Sequence, residues 1–308
     1  VIRRLSAAAV AVVLTSTVAS GCSTFTKNTE AAKVDATSLS VHDFQTISDD
    51  FVVAGQIGAP AAGEFAGSDQ RNILTRWVFS QLLSHKLDAA GTPIDAAARS
   101  AAEASLQQQA ADKWAPLHPV TKNFLITELA AQNMLAASAV IPDADVEAAY
   151  NAGISKSNTL CLRVIGFTDA TKANDAYEQI LGGSSFADVA DATNGDASIG
   201  SGGVFTNSTT KSECSSASSL NPQIAQSLAQ LSLNTPSTPI TLTGSDGSQQ
   251  FYLFLQRPWA EVADAAAPLV RQALVPAAAR ALISGGHAHV DSRYGMWDSG
   301  ALEVTPSR

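Results

Sequence analysis

Residues 186–205 read "FADVADATNGDASIGSGGVF", and the reading of this stretch decides the fold. Phe186, Val189 and Ala190 fall at helical spacing behind Ser185, a good N-cap, so a short helix is expected. It runs into a glycine-studded turn closed by Gly202-Gly203, the composition of a tight bend that a neighbour can approach closely. Upstream, "ATKANDAYEQILGG" sets Ala173, Ala176, Tyr177, Ile180 and Leu181 on one helical face and stops at Gly182-Gly183. Before that, "TLCLRVIGF" is a short apolar run of strand character. Downstream, "NPQIAQSLAQL" predicts a helix capped by Asn221 with Pro222 first, and "TPITLTG" and "QFYLFLQ" predict two strands flanking the turn "SDGS". The order strand, helix, helix, loop, helix, strand, strand defines an α+β module over residues 155–258.

The flanks read differently. Ser38 to Val41 is a short extended candidate, and a helix is expected from Asp43 to Val53. After the loop "GQIGAPAAGEFAGSDQ", "RNILTRWVFSQLLSH" carries helical periodicity with Asp69 as its cap. "TPIDAAARSAAEASLQQQAADKW" places Thr92 as N-cap, Pro93 first and Asp95 where a capping box puts an acid. Further helices are expected over Pro119 to Ala139 and from Asp143 to the stop at Gly153. Ala260 to Ser284 is helical but holds Pro268 and Pro276, so kinks or breaks are expected there. After Gly285-Gly286, "HAHVDSRYGMW" reads as a closing extended segment. The expected organisation is a helical N-domain over residues 38–154, the module over 155–258, and residues 259–308 completing the helical part.

The beginning of the chain speaks to location. Arg3 and Arg4, a mostly apolar run from Ala7 to Val18, and Ala19-Ser20-Gly21 before Cys22 form an export signal over residues 1–21. The apolar run is too short to span a bilayer as a helix. Small residues directly before a cysteine resemble a bacterial lipobox, in which Cys22 receives two acyl chains through a diacylglyceryl group, enough for stable anchoring. The alternative is a plain secretory signal with Cys22 incidental. Residues 22–37, polar and small, read as a tether. Cys161 and Cys214 remain, and an even number in an exported chain points to a disulfide, the alternative being two buried thiols. The formal net charge is −9, and loss of Arg3 and Arg4 with the leader makes it −11. With no basic patch, nucleic acid is excluded as the main partner.

Three signals in order now carry a resemblance. Gly183, Ser185, Phe186, Val189, Ala190, Gly202 and Gly203 match a parvulin element, "IPDADVEAAYNAG" looks like the helix that precedes such modules, and "VDSRYGMWDSGALEV" is similar to a closing segment whose strand returns to the N-terminal domain. Behind a lipobox, the chain resembles the SurA-like foldases of the bacterial envelope, in their actinobacterial lipoprotein branch. Their peptidyl-prolyl isomerase module is a parvulin. The resemblance covers about residues 31 to 304. It implies a helical chaperone domain with an inserted α+β module, extracytoplasmic and membrane-anchored, with unfolded or newly exported polypeptides as partners. It implies no cofactor and no metal. The peptide groove would draw on Phe186, Gly202, Gly203, Ile224 and Phe251.

The family's catalytic histidines are missing. The position in the first strand falls on Arg163, give or take one residue, the one in the last strand near Phe251, and the proline pocket near Ile224. His42, His85, His118, His287 and His289 all lie outside the module. The expected product is a binding module with degenerate chemistry. An active isomerase using other residues and a non-catalytic assembly lipoprotein stand as alternatives. Arg163 either meets an acidic client or, as a single arginine in a strand more often does, faces solvent or spans a loop. His287 and His289 share a strand face but have no third metal ligand at fixed spacing. Tyr294 and Trp297 are expected to stack on the helical domain near Arg293.

Overall fold

The computed structural model describes residues 29–307 apart from 62, 194–198, 208–210, 221, 230 and 244–246. Residues 1–21, expected to form a leader, and Cys22 lie outside the described residues, as does the cap expected at Asn221. The chain begins with β1 (Glu30–Val34) and β2 (Thr37–Ser40), then α1 (Val41–Val53), α2 (Gly67–Ala89), α3 (Ala96–Ala110), α4 (Pro119–Ala137) and α5 (Asp143–Asn151). The module follows with α6 (Ile154–Ser157), β3 (Thr159–Leu160), β4 (Leu162–Phe167), α7 (Ala170–Leu181), α8 (Phe186–Thr193), β5 (Ser215–Ser216), α9 (Pro222–Leu228), β6 (Ile240–Thr243) and β7 (Gln249–Gln256). The last part is α10 (Trp259–Ile283), β8 (His289–Val290), β9 (Met296–Asp298) and β10 (Glu303–Thr305). This is the expected α+β architecture, helical at both ends of the chain with a mixed module between.

Several local expectations are corrected. Residues 30–37 are not tether: β1 is the middle strand of the sheet β2-β1-β8, and Ala31, Ala32 and Val34 are buried. Small side chains that read as flexible linker are what close strand-to-helix packing needs. Asp69 lies in the first turn of α2, whose cap is Ala66. On α3 the cap is Asp95 itself, which accepts from the Ala98 N–H at 2.7 Å, so the helix starts three residues later than Thr92-Pro93 suggested. Pro268 and Pro276 do not break α10. Eight residues apart, both lie on its exposed face, where water can reach the carbonyls that lose their N–H partner. The opposite ridge of Val262, Ala266, Val270, Val275, Ala279 and Ile283 stays buried against α2, α4 and α5.

One apolar cluster holds the helical part together, with Phe44, Phe51, Leu74, Leu83 and Leu135 among its fully covered side chains. The closing segment joins it as expected. Ala32 and Lys33 of β1 pair with Val290 and His289 of β8, and Tyr294 meets Phe44 edge-on at 4.9 Å. Trp297 donates its indole N–H to the Gly286 carbonyl at 3.0 Å. The His118 side chain does not cap α4; the buried Asp50 binds this helix start instead, accepting from the His118 backbone N–H and from its Nδ1, each at 2.8 Å. A carboxylate there also faces the positive end of the helix dipole.

The module's sheet is antiparallel, in the order β4-β7-β6, with register pairs Arg163↔Leu255, Ile165↔Leu253 and Phe167↔Phe251. Val204 and Phe205 bridge to the other edge of β4. The expected first strand is broken at Cys161, which forms a disulfide with Cys214. The cystine packs into the helical core cluster, at the seam between the two parts.

Two measurements follow from these ties. Reducing the disulfide, which closes a loop with a sequence separation of 53, is expected to lower stability by about 4 kcal/mol, read from urea midpoints with and without reductant. Burial pushes the Asp50 carboxyl up, but the Thr121 hydroxyl beside it and the His118 bonds outweigh burial and hold it below the ordinary carboxylate range. Its stabilisation is therefore present above the unfolded value of about 4 and is lost as pH falls through the lower folded value. Asp50→Asn is expected to cost about 1.5–3 kcal/mol at pH 7 and progressively less below about pH 4, in unfolding curves taken across that range.

Candidate functional site

Alternation along β4 and β7 sorts the predicted site residues onto two faces of one sheet. Phe251, Leu253 and Leu255 pack with Ile165 and Phe167 against α7 and α8, in a core that holds Ala173, Phe186, Val189 and Ala190. Val164, Tyr252 and Phe254 lie on the other face with Ile224, Leu228 and Ile240. Arg163 and Phe251 are thus not opposite one another. Arg163 pairs with Leu255, four residues along β7 from Phe251, or about 13 Å. Phe186, only 5% exposed, fills the layer beneath α8 and does not line a groove.

The glycine pair has a packing role. Gly202 (φ +64°) and Gly203 (φ +77°) are buried in left-handed conformations. A Cβ on Gly203 would lie 2.9 Å from the Val164 carbonyl oxygen and 3.0 Å from the Ala190 Cβ; one on Gly202 would meet the Arg163 guanidinium. What approaches these glycines is the module's own β4 and α8 in place of a ligand. The Asp191 carboxylate accepts from the Gly202 N–H at 2.5 Å, and Arg163 donates through Nη1 to the Gly202 carbonyl at 2.8 Å.

Of the readings open for Arg163, spanning a loop is the one its contacts match, since the side chain reaches the glycine turn and does not face open solvent. Its Nη2 pairs with Glu261 at 2.8 Å, on the first turn of α10. Arg257, itself buried, reaches Glu261 at 3.2 Å and Glu213 at 2.6 Å. Burial pushes the Glu261 carboxyl up, but hydrogen bonds from Arg163 and Arg257 prevail and hold it below its ordinary range. The glycine turn, the residue before Cys214 and the start of α10 are thereby locked to one another.

The face bearing Ile224 is the better candidate for a peptide. Ile224, Ile240 and Tyr252 are half-buried, Phe254 lies beneath them, and the Tyr252 and Phe254 rings sit 5.9 Å apart. Gly166, paired with Tyr252 across the strands, gives the Tyr252 ring room: a Cβ there would lie 3.2 Å from it. Tyr252 also donates its hydroxyl to the Gln250 side chain. Val164, Tyr252 and Phe254 were missed from sequence because a one-residue shift in a strand moves a side chain to the opposite face. The surface offers aromatic and aliphatic contact and one phenol, with no carboxylate or imidazole in either strand.

The histidines serve elsewhere. His118 binds Asp50, and His85 ties α2 to the β1–β2 turn through Asp35 at 2.8 Å. His287 and His289 are exposed, and no cluster of metal-ligating side chains occurs among the described residues. Two clefts flank α10. One of about 890 Å³ opens between α4, α5 and α10, with Trp259 at its end. A second, of about 510 Å³, is lined by Ile141, Pro142, Leu274 and Leu282. Both lie within the helical part, along the helix that follows the module. Among the described residues no helix is long and apolar enough to cross a membrane.

No protein-family model and no curated protein matches the chain. Among solved structures it is similar to the foldase protein PrsA from Lactococcus lactis, at 13% identity and a TM-score of 0.32, covering 85% of this chain and 94% of that one. PrsA of Streptococcus pneumoniae is similar at 14% identity and a TM-score of 0.32, over 82% and 90% of the two chains. PrsA of Bacillus subtilis is similar at 14% identity and 0.27, over 84% and 91%. At such scores the chain's own side chains carry the argument about its chemistry.

The packing role of the glycine turn has a direct check. Gly203→Ala is expected to lose about 1–3 kcal/mol more than Gly183→Ala, because both sites have positive φ but only Gly203 has backbone within reach of a Cβ. Thermal unfolding of the two variants side by side measures the difference.

Proposed function

We propose that the chain is an exported folding helper, anchored through lipid on Cys22, that holds unfolded or newly exported polypeptides without ATP and without covalent chemistry. Its α+β module is a parvulin-type module that has lost catalysis and kept a binding face. The carrying observation is that face: Val164, Phe254, Tyr252 and Ile224 stand together there with no imidazole among them.

Rotation about a prolyl bond faces a barrier of about 18–20 kcal/mol. Lowering it needs groups that favour the twisted amide over the planar one, and binding alone does not supply that difference. Aromatic and aliphatic surface beside strand edges is suited to holding an extended apolar segment. The troughs beside α10 add a second holding surface, floored by alanines and ended by Trp259.

The test uses residues 22–308. Added in equimolar amount to a chemically unfolded client, the protein is expected to reduce light scattering on dilution at least twofold without nucleotide, while a proline-containing peptide isomerises at its uncatalysed rate. Unchanged scattering defeats the proposal. Catalysis abolished by Tyr252→Ala gives the module back to the isomerases.

A further inference from the structure

The larger cleft carries a charge pattern that apolar holding does not use. Trp259, Ala263, Ala267 and Arg271 recur every fourth residue along one face of α10, and Asp143 and Glu147 do the same on α5, which packs against it. Alanines make the floor shallow. Arg271 is spent internally: it donates to the Ile141 carbonyl at 2.6 Å and pairs with Asp143. Glu147 and Asp264, both exposed on the cleft, have no ion-pair partner among the described residues. Trp259 lies half-buried at the end of the cleft, with one side of its ring against Tyr150 at 5.4 Å.

Two unpaired carboxylates, an indole ring and a bed of methyl groups are the groups that receive a long cationic side chain. The aliphatic stem lies on the alanines, while the head meets carboxylate and the ring face. From Trp259 to Arg271 the trough runs about 18 Å, room for about five residues of extended chain. Beyond the Arg271 bridge, the second cleft is almost wholly apolar, with Leu274 and Leu282 on one side and Ile141 on the other.

We infer that the trough beside α10 selects extended polypeptide segments in which arginine or lysine alternates with aliphatic residues, through Glu147, Asp264 and Trp259. This rests on the chaperone reading of the same surface and gives it a substrate class. The preference belongs to long cations on an unfolded chain, and its electrostatic part weakens with salt because the two carboxylates are exposed.

Residues 22–308 are titrated into three fluorescein-labelled, unstructured decapeptides at 20 mM salt: one alternating leucine and arginine, one with glutamate for arginine, one with serine for leucine. Anisotropy is expected to show the leucine–arginine peptide binding at least tenfold more tightly than either of the others. Glu147→Gln with Asp264→Asn should cut its advantage over the glutamate peptide to under threefold without moving the thermal midpoint, since neither side chain has an ion-pair partner to lose. An advantage that survives the double variant overturns the inference by placing basic recognition elsewhere. Equal binding of all three peptides, with client aggregation still suppressed, overturns the charge selection and leaves the chaperone reading intact. No binding together with unchanged aggregation removes both.

Discussion

One buried amide sets the geometry on which the rest depends. The Gln256 side chain accepts from the Cys161 N–H at 3.3 Å and donates to the Thr159 carbonyl at 3.3 Å and to the Tyr150 hydroxyl at 2.8 Å. Tyr150 in turn donates to the Arg257 carbonyl at 2.7 Å. Burial pushes the Tyr150 phenol far above its usual range, so it stays neutral and remains a donor. The Gln256 amide and the Tyr150 hydroxyl both find partners, which matters because an orphaned buried donor or acceptor costs about 1–3 kcal/mol. The network spans the last helix before the module, the broken first strand and the last strand. Entry and exit of the module are fixed at one point.

From that point the module's surfaces acquire their roles. The cystine and the Arg163–Glu261–Arg257 group hold the glycine turn and the following segment against α10. One face of the sheet is thereby sealed by α7, α8 and the turn. The other keeps Ile224, Ile240 and Tyr252 partly open. Arg163 belongs to this bracing. With both ends of its guanidinium held, Arg163 serves the packing of the turn.

The α+β order, the helices at both ends and the returning strand were legible because each rests on periodicity or on glycine and proline punctuation. The disulfide was legible from cysteine count. The half-open face was not, for a specific reason: the run "FYLFL" within β7 is apolar or aromatic on both sides, so alternation does not mark which face is sealed. Only the pairing of Gly166 with Tyr252 and of Val164 with Phe254 resolves it. The proline residues of α10 misled in a similar way. Pattern reading assigns their cost but not the exposed face that bears it. Salt bridges between distant residues, such as Arg163 with Glu261, leave no trace in local sequence at all.

The sheet β2-β1-β8 joins the two extremities of the described chain, and α10 completes the core begun by α2 and α4. For a chain made from its N-terminus, this makes birth order matter. The module is contiguous and can mature while synthesis continues, whereas the helical part must wait with its apolar ridge uncovered until the final segment arrives. Until then its own ridge is as exposed as that of any unfinished polypeptide.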